Sequence, residues 1–212
     1  MNSRSSTRAA LACVAGLGLA APAAALPILS EVLYDASGSD DGSVFVELYG
    51  TPGESLDGLF LEGVNGSGGG VTVTIALSGT IPADGIFVLA DATGGGTTFV
   101  AEADLLAEFD LQNGPDSVVL RTGSSVLDAL GYGAFGAGDV FAGEGAAAPD
   151  VPAGASLARH FADLDTDDNA ADFAALSAPT PGIAPVLGVP EPSLAWLLAS
   201  ALAVGVPRRR RV

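Results

Sequence analysis

The sequence predicts an all-β protein built as a sandwich of short strands. Several segments alternate β-branched or aromatic residues with polar ones at a period of two, which is typical of strands. Turn-forming residues recur about every ten positions between these segments, which is the cadence of a β-sandwich. Glycine and alanine are abundant, but hydrophobic residues make up 49% of the chain. That apolar content favours a packed domain over disorder.

Five strands are predicted in the first half of the chain. Residues 28–34 and 44–49 are rich in β-branched and aromatic side chains, and the Gly, Ser and Asp residues between them predict a turn. In the second segment Val44, Val46 and Leu48 alternate with the other residues, so one face is apolar. The remaining strands of this half are residues 59–63, 71–77 and 86–90.

The second half continues the pattern with fewer strands. Residues 117–121 and 126–132 are predicted strands, and residues 155–161 are predicted to return as the last one. Residues 101–108 are predicted to form a helical turn. Residues 134–154 consist of small residues, acids and prolines with weak periodicity, which predicts a long surface loop.

The C-terminal segment has the features of a sorting tail. Val189, Pro190, Glu191 and Pro192 precede an apolar run over residues 193–207, and Arg208, Arg209, Arg210 and Arg211 follow it. As a helix the run would extend roughly 22 Å, short of the ~30 Å hydrocarbon core of a bilayer. The three parts in this order resemble the PEP-CTERM tail of Gram-negative bacteria. The resemblance implies an anchor held temporarily in the inner membrane and then removed by an exosortase near Pro-Glu-Pro. An ordinary single-pass anchor is the alternative.

The N-terminal segment predicts export. Residues 1–8 carry two arginines and no acid, residues 9–21 are apolar, and Ala23 to Ala25 offer a cleavage site for signal peptidase. The expected organisation is a signal peptide over residues 1–25, one domain over 26–177, a Pro/Gly linker over 178–188 and the sorting tail over 189–212.

The exported part is strongly acidic. It contains all but one of the chain's 25 acidic residues, its only cations are Arg121 and Arg159, and the chain has no lysine. Nucleic acid is therefore disfavoured as a partner, since phosphate binding needs cations. The only cysteine, Cys13, lies in the predicted signal peptide, so no disulfide is expected in the domain.

An ordered series of segments resembles the lamin-tail domain of exported bacterial proteins. The segments are residues 28–35, 45–49, 79–90, 111–120, 128–133 and 159–173. The resemblance implies an immunoglobulin-like β-sandwich, with no agreed catalytic residues and a role in attachment. Ser30 and Gly50 stand where members of this family often carry Asn.

The acidic run over residues 163–169 is the candidate metal site. Asp163, Asp165 and Asp167 occupy alternate positions, and Ca²⁺ takes six to eight oxygen ligands. The run is not an EF-hand, because Asp168 and Ala174 replace the required Gly and Glu. The alternative is a turn held by Asx hydrogen bonds, with Arg159 offsetting part of the charge.

A catalytic set is not expected. His160 is the only histidine, no Gly-x-Ser-x-Gly motif accompanies it, and we interpret it as structural. Glycosidase carboxylates cannot be recognised among so many acids, but the aromatic residues are better interpreted as core than as sugar platforms: Phe45, Tyr49, Phe60, Phe87 and Tyr132.

The sequence thus predicts a non-catalytic exported protein of a Gram-negative envelope. Signal peptidase and exosortase are its expected processing partners, with the inner membrane as a transient site. The resemblance to PEP-CTERM tails implies an exopolysaccharide-producing envelope, and the resemblance to lamin-tail domains implies attachment. The expected role is therefore attachment or structural support in an exopolysaccharide-rich surface or matrix, through polysaccharide or surface proteins. The alternatives are a Ca²⁺-dependent binding module and, less favoured, a small extracellular hydrolase.

Overall fold

The computed structural model describes residues 26–184. The predicted signal peptide, the last part of the predicted linker and the whole sorting tail lie outside these residues. The described chain contains ten strands and one short helix: β1 (Ile28–Leu33), β2 (Phe45–Tyr49), β3 (Phe60–Asn65), β4 (Val71–Ala76), β5 (Ile86–Asp91), β6 (Leu105–Ala107), β7 (Asp116–Arg121), β8 (Val126–Tyr132), β9 (Ser156–Arg159), α1 (Asn169–Asp172) and β10 (Phe173–Leu176). No helix among residues 26–184 is long and apolar enough to cross a membrane.

The strands form two sheets. One has six strands in the order β10-β9-β1-β2-β5-β6, and the other has four in the order β4-β3-β7-β8. β5 and β6 are parallel, and the other neighbours are antiparallel. The all-β prediction is therefore confirmed.

The main hydrophobic core receives side chains from both sheets. Leu48 and Phe87 contribute from the six-stranded sheet, and Leu61, Val118 and Leu130 contribute from the four-stranded sheet. All five side chains are almost completely buried. Burial of this apolar surface between the sheets is the main stabilising contribution to the fold.

A β-bulge in β1 changes which side chains face the core. The register with β2 shifts between Leu29 and Glu31, so Leu29 and Val32 both contribute to the main core. The extra residue places Ser30 beside Glu31. The side chains of both residues make hydrogen bonds on the face of the sheet that points away from the main core. Without the bulge, strict alternation would turn Glu31 towards the core together with Leu29.

The outer face of the six-stranded sheet carries a second apolar cluster. Leu33, Phe45 and Val88 belong to it, and the half-buried Val100 and Ala184 pack against it. β2 and β5 are consequently buried on both faces, except at Tyr49. Period-two alternation does not reveal this second burial, because the covering residues come from distant parts of the chain.

The predicted strands are found with bounds that differ by a few residues at most, but three elements depart from the prediction. Residues 101–108 do not form a helical turn; they contain β6, which pairs with β5. That prediction is wrong because pairing with a neighbouring strand overrides the local helix preference of Ala, Glu and Leu. α1 and β10 were not predicted. α1 begins after Asp168, whose side chain accepts a hydrogen bond from the amide of Ala170.

Candidate functional site

A buried arginine links the two sheets. Arg159, on β9, is 1% exposed. Its Nη2 donates to both carboxylate oxygens of Asp128, on β8, at 2.9 Å each. Its Nε donates to the carbonyl of Leu29 at 2.6 Å, and its Nη1 donates to Asp172 Oδ2 at 3.0 Å. The guanidinium also lies 4.6 Å from the ring centroid of Phe173.

The acids around Arg159 have opposite protonation tendencies. Burial raises the pKa of Asp128, and the charge of Arg159 offsets part of that rise. Burial also disfavours the charge of Asp172, but hydrogen bonds from Thr166 and the charge of Arg159 together hold its pKa below the usual range. Thr166 Oγ1 donates to Asp172 Oδ1 at 2.7 Å, and the Thr166 amide donates to Oδ2 at 2.9 Å.

The structure separates the three predicted metal ligands. Asp165 Oδ1 accepts from Arg159 Nη1 at 3.3 Å and from the amide of Asp167 at 3.2 Å, so Arg159 does offset part of the charge of this run. The contact with Asp167 is an Asx turn. Asp163 and Asp167 are exposed. Within the described residues, their carboxylates do not join Asp165 in a common group.

Asp165 is grouped instead with Asp128 and Glu144. One carboxylate oxygen of each lies within 4.8 Å of the others. Glu144 Oε2 is buried and has no hydrogen-bond partner among residues 26–184. Burial, with the charges of Asp128, Asp165 and Asp167, raises the pKa of Glu144 to about 8. These oxygens can therefore share a proton or take a hard cation.

Sequence reasoning did not find Glu144, because it lies in the predicted loop with weak periodicity. Asn169 holds this loop against β8. Its Oδ1 accepts from the amides of Gly131 and Glu144 at 2.8 and 2.9 Å, and its Nδ2 donates to the carbonyl of Ala129 at 2.7 Å. The nearest sequence signal was the acidic run itself, whose last residue is Asn169.

A second buried acidic feature lies on the outer face of the six-stranded sheet, and we call Glu31 and Glu47 the glutamate pair. They are directly opposite each other on β1 and β2, and both are 0% exposed. Ser156 Oγ donates to Glu31 Oε1 at 2.5 Å, and Ser30 Oγ donates to Glu47 Oε1 at 2.7 Å. Burial raises the pKa of Glu47 to about 7, and the charge of Glu31 adds to the rise.

The glutamate pair binds the start of the predicted linker. The Thr180 amide and Oγ1 donate to Glu31 Oε1 and Oε2 at 2.9 and 2.8 Å, and the Gly182 amide donates to Glu47 Oε2 at 2.9 Å. Residues 180–182, which lie within the predicted Pro/Gly linker, are therefore fixed to the sheet. Gly182 has φ +81°, and a Cβ there would lie 2.7 Å from Glu102 Cβ. Glycine is needed at this position for both reasons.

An acidic depression of about 360 Å³ lies beside β5, lined by Asp40, Asp41, Asp91, Glu108 and Asp110 among others. Asp91 is structural, because its two oxygens accept from the amides of Gly42 and Phe109 at 2.6 and 2.8 Å. Burial raises the pKa of Asp110, and the nearby charges of Asp40 and Asp91 add to it.

His160 is exposed, and its backbone amide donates to the carbonyl of Asp172 at 2.8 Å. Its imidazole makes no hydrogen bond within the described part of the chain. Of the aromatic residues expected in the core, Phe45, Phe87 and Tyr132 are buried. Tyr49 and Phe60 are partly exposed at strand ends.

The chain matches no protein-family model, no curated protein and no solved structure. The residues and contacts of the chain itself are therefore the basis for a functional proposal.

Proposed function

We propose that this protein is a non-catalytic exported protein that attaches to, or supports, an exopolysaccharide-rich envelope. We further propose that its two sheets form an immunoglobulin-like sandwich of the lamin-tail type. The observation that carries the proposal is the docking of residues 180–182 on the glutamate pair. This docked segment lies near the start of the predicted linker, whose remaining residues lead into the predicted sorting tail.

Docking fixes the point from which the tail leaves the domain. The backbone amides of Thr180 and Gly182 both donate hydrogen bonds to buried carboxylates. These two contacts fix the position of the segment relative to β1 and β2. Hydrogen bonds to charged groups are among the stronger ones in proteins. A fixed exit point gives the domain a defined orientation relative to its anchor, which suits a protein displayed on a surface.

The two predicted signals give the proposed route. Signal peptidase removes residues 1–25, and the arginines from Arg208 to Arg211 stay on the cytoplasmic side of the inner membrane. Exosortase then acts near Pro190 to Pro192 and passes the domain to the outer surface or the matrix. The acidic domain disfavours nucleic acid and leaves neutral polysaccharide or surface proteins as partners.

The sorting step is tested in the producing bacterium. We expect the Pro190→Ala/Pro192→Ala variant to accumulate in the inner membrane at its unprocessed mass, measured by fractionation and intact-mass spectrometry. Pro185→Ala, in the linker but outside the motif, is the matched control and should be processed normally. Normal processing of the double variant would refute a role for the motif.

The attachment step is tested by co-sedimentation of the full-length chain with matrix polysaccharide of the producing cell, in Ca²⁺ and then in chelator. Binding that survives chelation supports direct attachment. Absence of binding in both conditions would refute attachment to polysaccharide and leave surface proteins as partners.

A second candidate function is Ca²⁺-dependent binding. The observation that favours it is Glu144 Oε2, which has no hydrogen-bond partner within residues 26–184 and belongs to a side chain grouped with Asp128 and Asp165. Ca²⁺ should then raise the melting temperature of the wild-type chain and not that of Glu144→Gln. Equal melting temperatures of the wild-type chain with Ca²⁺ and with chelator would remove this candidate.

A further inference from the structure

A polar depression of about 350 Å³ lies at one end of the four-stranded sheet. The β3–β4 hairpin, the loop before β7 and the loop after β8 meet there. The polar side chains that line it belong to Asn65, Ser67, Gln112, Asn113, Asp116 and Asp139. We call it the amide depression.

The amide depression concentrates a rare side-chain type. The whole sequence has five carboxamide side chains, and three of them, Asn65, Gln112 and Asn113, line this one depression. Gln112 is the only glutamine. Three carboxamides beside two acids, Asp116 and Asp139, distinguish this depression from the acidic depression beside β5.

The carboxamides of the depression are free to bind a ligand. Gln112 and Asn113 are exposed, and their side chains make no hydrogen bond within residues 26–184. Asn65 Oδ1 accepts from the Ser67 amide at 2.6 Å, which leaves its NH₂ group available. Asn169 provides the contrast, since its amide is buried and bonded on both its oxygen and its nitrogen.

The backbone around the depression is held in place. Tyr132 Oη donates to the carbonyl of Gln112 at 2.7 Å. The Gly66 amide donates to Pro115 O at 3.1 Å and to Asp116 Oδ1 at 2.7 Å. A Cβ on Gly66 would lie 2.1 Å from Pro115 O, so glycine alone allows the two loops to approach this closely. Preorganised groups lose little freedom when a ligand binds.

The donor and acceptor set fits hydroxyl groups. A carboxamide both donates and accepts, as a hydroxyl does, and Asp116 and Asp139 add acceptors. The two carboxylates would repel an anionic ligand. Phe135, in the loop after β8, packs beside Gly66, because its ring lies 3.0 Å from where a Cβ of that glycine would be. The ring is half-buried and packs edge-on against Phe141, with a centroid distance of 5.0 Å.

We propose that the amide depression is a binding site for neutral oligosaccharide units. The inference rests on the proposed attachment to exopolysaccharide and names the surface that would make it. Sugar hydroxyls would bond to the side chains of Gln112, Asn113 and Asn65.

The test is a titration of the ¹⁵N-labelled full-length chain in a detergent without a sugar headgroup. The probe is the neutral fraction of oligosaccharides from partial hydrolysis of the producing cell's matrix polysaccharide. We expect the side-chain NH₂ signals of Gln112 and Asn113 to shift saturably. The Gln112→Ala variant should bind about two- to tenfold more weakly, the effect of one neutral hydrogen bond. Ser124→Ala, exposed at the opposite end of β7, is the matched control and should bind as the wild type does.

The outcomes separate this inference from the proposed function. Saturable binding in which the signals of Gln112 and Asn113 do not move, with unchanged affinity of Gln112→Ala, would overturn the depression as the site and keep attachment to polysaccharide. Preference for the acidic oligosaccharide fraction would overturn the neutral ligand class. Absence of binding by the wild-type chain to oligosaccharides and to the intact polysaccharide would overturn both proposals.

Discussion

Replacing Glu47 by glutamine should stabilise the protein at alkaline pH and leave its stability nearly unchanged at acidic pH. Glu47 is fully buried beside Glu31, with Ser30 Oγ and the Gly182 amide donating to its two oxygens. Glutamine keeps the size of the side chain and carries no charge. Its oxygen can accept from Gly182 while its NH₂ group donates to the Ser30 hydroxyl, which can also accept.

The size of the effect follows from the pKa of Glu47. Burial raises it from 4.5 to about 7 in the folded state, and the charges of Glu31 and Asp84 contribute. A pKa raised by about 2.5 corresponds to about 3 kcal/mol, at ~1.36 kcal/mol per pKa unit. The folded state holds the extra proton between about pH 4.5 and 7, so stability falls as pH rises through this window. The Glu47→Gln variant does not undergo this loss.

The assay is urea denaturation of both proteins at pH 4 and at pH 8.5. The other carboxyl groups titrate in both chains, so the difference between the free energies of unfolding isolates Glu47. We expect this difference to grow by about 3 kcal/mol in favour of the variant from the lower to the higher pH. Glu102→Gln, at an exposed glutamate next to Gly182, is the control and should show no such growth. Parallel pH profiles of the wild-type chain and Glu47→Gln would refute the reasoning.

Two further predictions concern the other buried contacts. Arg159→Met should lower the free energy of unfolding by about 3–5 kcal/mol, because it leaves the buried carboxylate of Asp128 without its cation. Thermal unfolding checks this, and a loss below about 1 kcal/mol would contradict it. Thr180→Val removes the hydroxyl that donates to Glu31 Oε2 and should loosen the docked segment before the rest of the domain. Hydrogen exchange should then be faster at the Gly182 amide and unchanged at Val118 in the core.

Period-two alternation predicted most strands because each has one face in the main core. It gave the correct core face for Val44, Val46 and Leu48. It could not reveal that Glu47, on the opposite face, is also buried, because the segment that covers it lies 135 residues away along the chain. β10 was missed because Phe173–Leu176 contains no β-branched residue and forms a strand by pairing with β9.

The candidate site was predictable only in part, for a similar reason. The acidic run and its charge compensation by Arg159 are local in sequence, and the contact with Asp165 confirms that compensation. The main partner of Arg159 is Asp128, 31 residues away on the other sheet. Glu144 comes from a loop whose composition gives no structural signal. Long-range contacts of this kind follow from the fold and not from residue spacing.

The position of Arg159 also bears on how a domain without cysteine in residues 26–184 holds its sheets together. β9 belongs to the six-stranded sheet and β8 to the four-stranded one, so the contact with Asp128 joins the sheets beside the hydrophobic core, where Arg159 lies over the ring of Phe173. The ion pair loses its attraction when Asp128 is protonated, and burial already raises the pKa of that group. Burial nevertheless favours the neutral forms of both Asp128 and Glu47, so protonation of either group removes a buried charge, and the stability that each contributes decreases as pH rises. Asp172 acts in the opposite direction, because its lowered pKa gives a contribution to stability that is lost as pH falls. The aliphatic side chains of the core between the sheets do not titrate and stabilise the domain at both ends of the range.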